Sequence, residues 1–315
     1  MPPSRLLGVP EPVTVRVPAK INLHLSVGPL RTDGYHELVT VFHAVSLYDS
    51  VTATPARDLT LGMTGEGAAD LPNGPENLAW RAAMLLADHI GVEPTVRLDL
   101  DKGIPVAGGL AGGSADAAGT LIACDALWQS GLDRAELTEL AAELGSDVAF
   151  ALAGGTALGT GRGEQLTPVL AAGRWHWALA VAAEGLSTPW VYAQLDRMRR
   201  TGDPTPAGPP DQLINALRSH DPARLGELLA NDLQPAALAM RPELRRTLRT
   251  GLELGALGAV VSGSGPTCAF LSASREGAVR LAASLSSAGV CRTVRVAHGP
   301  VPGARIAAET EDARR

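Results

Sequence analysis

The 315-residue chain has little cysteine, few aromatic residues, no net positive charge and no long apolar run. Its three cysteines lie far apart in apolar segments, which excludes a disulfide framework and a cysteine metal site. The net charge of −6 argues against a surface for nucleic acid or anionic lipid. No apolar run approaches the roughly 20 residues of a membrane-spanning helix, and the first residues lack the apolar core of a secretion signal. We therefore expect a reduced, cytoplasmic protein with no nucleic-acid or membrane partner.

Lysine is the scarcest charged residue. Of 27 basic residues, only Lys20 and Lys102 are lysines, and the others are arginines. Lysine carries a compact point charge, whereas arginine presents a planar fork of donors. The two exceptions therefore indicate positions where a point charge is needed, although chance alone could also leave two lysines.

The remaining composition, 45% hydrophobic and 19% charged, is typical of a globular protein with ample core. Strand and helix patterns alternate with antiparallel hairpins, which predicts an α+β fold of two domains. We place the N-terminal domain at 11–167 and the C-terminal domain at 168–300, with tails at 1–10 and 301–315. The first strand is expected to end at Pro18, and a second to begin at Lys20.

The most distinctive segment is Pro-Val-Ala-Gly-Gly-Leu-Ala-Gly-Gly-Ser-Ala-Asp-Ala-Ala, residues 105–118. Glycine allows unusual backbone angles and close approach to a ligand. Ser114 can cap a helix that follows at once. A glycine-rich turn at a helix N-terminus presents free N–H groups and a positive dipole end, which together favour phosphate. The alternative is a flexible linker or a close helix crossing.

Three further positions are candidate site residues. Strict alternation from Lys20 puts Lys20 and Asn22 on one face of a strand, which is either a site or an ordinary half-exposed face. Asp147 follows a helix end, where it either acts as a base or, in competition with Ser146, caps a helix. The turn at Asp33-Gly34 leads into Tyr35 and His36, which are either ligand contacts or surface and core-edge residues.

Three separated motifs resemble those of the GHMP kinases, a family of small-molecule kinases. They are Pro-Ala-Lys-Ile-Asn-Leu at 18–23, the glycine-rich segment at 105–118, and Val-Ser-Gly-Ser-Gly-Pro-Thr at 261–267. Their order and spacing agree over nearly the whole chain. The resemblance implies a two-domain architecture with the active site in the cleft between the domains, and it implies ATP and Mg²⁺ as cofactors.

The resemblance also implies roles for individual residues. Lys20 and Asp147 would form the catalytic pair, and Ser114 would contact Mg²⁺. ATP would contact Pro105, Val106, Ala107, Gly108, Gly109, Leu110, Ala111, Gly112, Gly113, Ser114, Ala115, Lys102, Asn77 and Leu78. The turn at 33–38, Gly-Ser-Asp-Val at 145–148 and the Thr-Pro step at 188–189 resemble a member of the family whose small-molecule substrate is a cytidyl diphosphate methylerythritol. Its substrate would contact Asn22, Tyr35, His36, Thr188 and Tyr192.

One departure and two alternatives accompany this resemblance. Ala115-Asp116 stands where Ser-Asn or Ser-Asp is more common in the family, which puts one contact of the phosphate motif in doubt. Another GHMP kinase, of the homoserine or mevalonate type, is the nearest alternative, and a catalytically dead nucleotide-binding module is a second. We expect a monomer or weak homodimer.

Overall fold

A computed structural model describes residues 11–106, 108–202 and 204–307. The strands, in chain order, are β1 (Val13–Leu30), β2 (His36–Pro55), β3 (Thr60–Gly65), β4 (Val96–Lys102), β5 (Thr156–Thr160), β6 (Gln165–Pro168), β7 (Trp175–Val181), β8 (Ala230–Asn231), β9 (Gly258–Val261), β10 (Cys268–Ser272), β11 (Thr293–Gly299) and β12 (Arg305–Ile306). The helices are α1 (Leu78–Ile90), α2 (Gly112–Trp128), α3 (Arg134–Leu144), α4 (Ser146–Ala153), α5 (Thr188–Arg199), α6 (Asp211–Ser219), α7 (Pro222–Leu228), α8 (Gln234–Met240), α9 (Glu243–Glu253) and α10 (Arg275–Ser287). Every helix in these ranges is too short or too polar to cross a bilayer.

Within the described residues the first sheet has eight strands, with β12-β1-β2-β4-β3 as its main order. The pair β5–β6 extends from β2, and β8 lies parallel to β1. Helix α2 packs on β1 and β2 and is flanked by α1, α3 and α4. A side chain at Gly119 would press on Val17 and Val51, so this glycine lets α2 lie close against the sheet.

The second sheet is antiparallel, in the order β11-β7-β10-β9. Helix α10 packs on β7, β10 and β11, and α9 packs on β9 and β10. Arg292 and Arg295 of this half pair with Glu66 of the other at 2.8 and 2.9 Å. The α+β fold with two domains is thus confirmed.

The C-terminal segment corrects one prediction. Residues 301–307 are not a tail, because β12 pairs antiparallel with β1 through Ile306 opposite Val15. Pro302 also forms an isolated bridge with Gly154. A two-residue strand among proline and glycine has no periodicity from which it could be predicted. The predicted tail at 1–10 and the rest of the C-terminal one, 308–315, lie outside the described residues.

A second correction concerns Pro18, which does not end a strand. Strand β1 runs through it, and the register against β2 shifts between Pro18 and Ala19. Proline lacks an N–H, and a bulge is one of the places where a sheet tolerates that loss. The short elements β8 and α8 were also not predicted. Helix α1 begins after its cap Asn77 and ends at Ile90, where Gly91 follows in a left-handed conformation.

Candidate active site

A cleft of about 890 Å³ lies between the two halves of the molecule. Strand β1, the glycine-rich segment and the start of α4 line it from the N-terminal side. The start of α5 and the loop between β9 and β10 line it from the C-terminal side. All three motifs of the sequence analysis therefore meet at one cavity.

Lys20 and Asn22 point together into this cleft, as the alternation of β1 predicts. Lys20 Nζ donates a hydrogen bond of 2.8 Å to Asn22 Oδ1, and Asn22 Nδ2 donates one of 2.8 Å to Thr40 Oγ1. Lys20 Nζ also lies 3.6 Å from Asp147 Oδ2. Because Lys20 is only 6% exposed, its ammonium depends on these partners for compensation of its charge.

Asp147 occupies the first turn of α4 and does not cap it. Gly145 is the N-cap residue, and none of the described side chains makes a capping hydrogen bond there. The hypothesis that Asp147 or Ser146 caps the helix is therefore wrong, because the chain enters the helix one residue earlier. The half-buried Asp147 carboxylate is left free to line the cleft beside Lys20.

The glycine-rich segment leads into α2, but the helix begins three residues earlier than its sequence suggests. Ala111 adopts a left-handed conformation (φ 61°) as the N-cap, and the helix begins at Gly112. Ser114 is therefore the third residue of the helix, and its prediction as the cap is wrong. The first N–H groups of α2 lack intrahelical acceptors, and Gly112 and Gly113 line the cleft at that end.

The other predicted ATP contacts divide into two groups. Those that line the cleft are Asn77, Leu78, Lys102, Pro105, Val106, Gly108, Gly109, Ala111, Gly112 and Gly113. Leu110 and Ala115 are buried, and Ser114 is not among the described residues that line the cleft. Ala107 lies outside the described residues.

The glycine-rich segment is packed directly against the loop between β9 and β10. Ser262 Oγ donates to the Gly109 carbonyl at 3.0 Å, and Thr267 N donates to the Gly108 carbonyl at 3.2 Å. A Cβ on Gly109 would overlap the Ser262 carbonyl oxygen, and its φ of 73° is itself unfavourable for other residues. These contacts join the second and third motifs across the domain boundary.

Lys102 lies at the cleft wall in an arrangement that its sequence did not indicate. Its ammonium contacts the carboxylates of Asp49 and Asp116, and all three residues are buried. Burial raises the pKa of the Asp116 carboxyl, and the charge of Lys102 opposes that rise. The role of Lys102 toward ATP stays a prediction.

At the opposite end of the cleft, the predicted substrate contacts surround an aromatic recess. The His36 and Tyr192 rings lie 5.2 Å apart, and His36 Nε2 lies 3.0 Å from Asp196 Oδ1. Burial and the Asp147 carboxylate raise the pKa of Tyr192. Tyr35 is 57% exposed at the rim. Thr188 Oγ1 lies 2.7 Å from Ser264 Oγ, at the side nearer the third motif.

Sequence reasoning missed three residues that line this end. Asp196 lies one helical turn after Tyr192, a spacing that would have placed the two on one face of α5. The Arg162 guanidinium lies 5.1 Å from the Tyr35 ring, in the turn between β5 and β6. Ser264 falls within the third motif, but nothing in its type marked it as a partner of Thr188.

Comparison with known proteins gives a consistent result. Two family models match, the GHMP kinases N-terminal domain over residues 77–155 and the GHMP kinases C-terminal domain over 213–291. The 4-diphosphocytidyl-2-C-methyl-D-erythritol kinase of Nocardia farcinica is 60% identical over 298 residues, covering 95% of this chain and 97% of the relative. The enzyme of the same name from Mycobacterium tuberculosis strain H37Rv is 58% identical over 294 residues, covering 93% and 92%.

Solved structures agree with these relatives. A crystal structure of 4-(cytidine 5'-diphospho)-2C-methyl-D-erythritol kinase superimposes with a TM-score of 0.73 at 35% identity, covering 90% of this chain and 98% of that one. A homoserine kinase from Cytophaga hutchinsonii superimposes with a TM-score of 0.72 at 17% identity, covering 97% and 100%. At that identity the second likeness concerns the fold alone.

Proposed function

Because the chain belongs to the GHMP kinases, within the family of 4-diphosphocytidyl-2-C-methyl-D-erythritol kinases, we propose that it phosphorylates 4-diphosphocytidyl-2-C-methyl-D-erythritol. The γ-phosphoryl group of ATP passes to the 2-hydroxyl of the erythritol, a step of non-mevalonate isoprenoid precursor biosynthesis. The observation that carries this proposal is the ion pair of Lys20 and Asp147, which lies in the same cleft as the glycine-rich segment.

The N-terminus of α2 and the segment before it form the donor half of the site. Free N–H groups and the positive end of the helix dipole favour the ATP phosphates. Phosphoryl transfer depends mainly on alignment and on neutralising the charge of the phosphoryl oxygens. The contact of Gly108 and Gly109 with the third motif fixes this segment, which supports such an alignment.

Mg²⁺ would be held chiefly by the phosphates. Mg²⁺ in kinases usually keeps several waters and takes only one or two protein oxygens. Among the residues that the structure describes, no group of three or more acidic, histidine or cysteine side chains could hold an ion by itself. This fits an ion that arrives with ATP, and we propose Ser114, in the first turn of α2, as its protein ligand.

Asp147 and Lys20 would act on the acceptor hydroxyl. The Asp147 carboxylate accepts the proton of the 2-hydroxyl, whose oxygen forms a bond to the γ-phosphorus as ADP leaves. The Lys20 ammonium stabilises negative charge that develops on the transferring group. Asn22 holds Lys20 in place through its hydrogen bond.

The aromatic recess would bind the cytosine ring. Tyr35 and Tyr192 supply faces on which a base stacks, each worth about 1–3 kcal/mol. We propose the neutral tautomer of His36 in which Nε2 donates its proton to Asp196 Oδ1, 3.0 Å away, and Nδ1 is the acceptor of that ring. An imidazole in this state accepts a hydrogen bond from the amino group of cytosine and repels the carbonyl oxygen that uracil has in its place.

A coupled ADP-release assay with Mg·ATP tests the proposal. We expect turnover with 4-diphosphocytidyl-2-C-methyl-D-erythritol and little with homoserine or mevalonate, with the 2-phosphate as the product by ³¹P NMR. Turnover with homoserine or mevalonate alone would instead identify another GHMP kinase. ATP binding without turnover on any acceptor would identify a nucleotide-binding module. We further propose that the protein is cytoplasmic and that it is a monomer or weak homodimer. Sedimentation measures the oligomeric state.

A further inference from the structure

The Lys102 ammonium has no donor left for a nucleotide. It contacts the carboxylates of Asp49 and Asp116, and it donates a longer hydrogen bond of 3.4 Å to the Gly112 carbonyl. An ammonium group has three N–H donors, and these three acceptors use them all. Lys102 is 4% exposed, so its partners are fixed by the surrounding packing.

The two carboxylates hold different ends of the glycine-rich segment. Asp49 Oδ1 accepts hydrogen bonds from Gly103 N at 2.7 Å and from Ile104 N at 2.8 Å, where the chain leaves β4. Asp116 lies in the second turn of α2, near the C-terminal end of the segment. Through Lys102, one buried cluster therefore ties the entry of the segment to its exit.

The cluster is sensitive to the loss of any member. Two carboxylates and one ammonium lie in a region almost without solvent, and a buried charge that loses its partner is strongly disfavoured. Asp116 Oδ1 already has no hydrogen-bond partner among the residues that the structure describes. When one charge is lost, the remaining charged groups therefore need new partners or water. We expect the glycine-rich segment to move with them.

We propose that Asp49, Lys102 and Asp116 together position the phosphate-binding segment, and that Lys102 acts on ATP through this segment without touching it. The proposal rests on the proposed function in one respect: residues 103–113, which include most of the glycine-rich segment, are taken as the ATP site. Direct contact of Lys102 with ATP is the competing explanation. A variant of Asp49 distinguishes the two explanations, because Asp49 is fully buried and does not line the cleft.

Calorimetric ATP binding without acceptor, together with KM and kcat, tests the proposal. We expect Asp49→Asn and Lys102→Met each to weaken ATP binding by about tenfold or more, with the acceptor KM unchanged. The double variant should be no weaker than the worse single variant, because residues of one network are not additive. Binding is measured without acceptor, so a wrong acceptor assignment does not affect this result.

Two further variants complete the design. Asp116→Asn keeps an oxygen for Lys102, so it should fold even if Asp49→Asn does not. We expect this variant to weaken ATP binding about threefold. The amides of residues 103–113 should also exchange hydrogen faster. Asp125→Asn, on the same helix but at its other end, should leave ATP binding unchanged. Wild-type ATP affinity in Asp49→Asn, with a loss confined to Lys102→Met, would overturn the proposal in favour of direct contact. A lowered Tm with unchanged ATP binding and loop exchange in every variant would overturn it in favour of a structural role.

Discussion

Lys20 Nζ and Asp147 Oδ2 lie 3.6 Å apart, on two elements that are far apart in the sequence. Lys20 is held from β1, and Asp147 projects from the first turn of α4. The distance is longer than a direct hydrogen bond, so the two groups are paired in charge while each can still meet a third group. We therefore expect different effects from substitution of Asp147 and of Lys20.

For Asp147, substitution by asparagine keeps the size of the side chain and removes the proton acceptor. We expect kcat to fall by about 10²–10⁴, since this is the usual contribution of a general base. ATP binding should stay within about threefold of wild type, because the phosphate segment is untouched. ADP release and calorimetry measure the two effects, and wild-type turnover would remove Asp147 as the base.

For Lys20, the third motif lies close to the ammonium group. A Cβ built on Gly263 would lie 3.2 Å from Lys20 Nζ, so the third motif closes over this charge. We expect Lys20→Arg to lower kcat at least about tenfold despite the equal charge. Arg249→Lys, an exchange in an exposed pair on α9, is the matched control. A normal kcat in Lys20→Arg would show that a point charge is not required.

Asp196 should determine how strongly His36 discriminates cytosine from uracil in the substrate. Asp196→Ala removes the acceptor of the Nε2 proton, and we expect the acceptor KM to rise about tenfold with the ATP KM unchanged. Asp196→Asn retains an oxygen at the same place and should restore most of the affinity. The uridine analogue of the substrate should be rejected less strongly by Asp196→Ala. Equal behaviour of the alanine and asparagine variants would argue against this role.

Two glycines of the phosphate segment should respond differently to alanine. Gly109→Ala places a methyl group against the Ser262 carbonyl at a positive φ, and we expect a loss of about 2–4 kcal/mol of unfolding free energy. A methyl group on Gly113 would meet only Leu78 Cδ1 at 3.8 Å. Gly113 also lies in a helix, so Gly113→Ala should be neutral or stabilising by up to about 1 kcal/mol. Urea unfolding compares them, and equal losses would contradict the steric explanation.

A buried histidine should make the fold sensitive to acid. Burial lowers the pKa of His43 from 6.5 to about 3, and its Nδ1 lies 2.8 Å from Thr156 Oγ1. The unfolded chain then binds a proton that the folded chain excludes, so this stability is complete above about pH 6.5 and is lost as the pH falls. At pH 5 the loss is about 2 kcal/mol.

His43→Asn separates this effect from the titration of other groups. Its amide can keep the contact with Thr156 but does not titrate. Urea unfolding at pH 7.5 and pH 5 should show wild type losing about 2 kcal/mol more than the variant between the two conditions. Equal losses would mean that His43 is protonated in the folded state.

Sequence patterns predicted those features that depend on neighbouring residues. Period-two alternation placed Lys20 and Asn22 on one face of a strand, where their side chains meet in the structure. The fold class followed from the same local signals. Features that depend on distant residues were not predictable in this way. Asp49 meets Lys102 only because β2 pairs with β4, and Asp116 joins them only once α2 has packed.

The start of α2 illustrates a limit of a different kind. Serine is a common capping residue, so the sequence favoured Ser114 over Ala111. Non-glycine residues rarely adopt positive φ, and alanine is not among the usual exceptions. The cap at Ala111 is held by tertiary contacts of the segment around it, such as the hydrogen bond from Lys20 N to the Leu110 carbonyl. Local propensity could not reveal such a contact.

The pairing of β12 with β1 has a consequence for biosynthesis. In sequence, the strands of the second sheet come between β6 and β12, so β12 at the edge of the first sheet is synthesised after them. Until then, the outer edge of β1 at Val15 and Arg16 has no partner, and an open strand edge is prone to pair with other chains. In the nascent N-terminal half, this edge of β1 therefore stays unpaired while the second sheet is synthesised. A fusion partner or truncation that displaces Arg305 and Ile306 would leave that edge open for the lifetime of the protein.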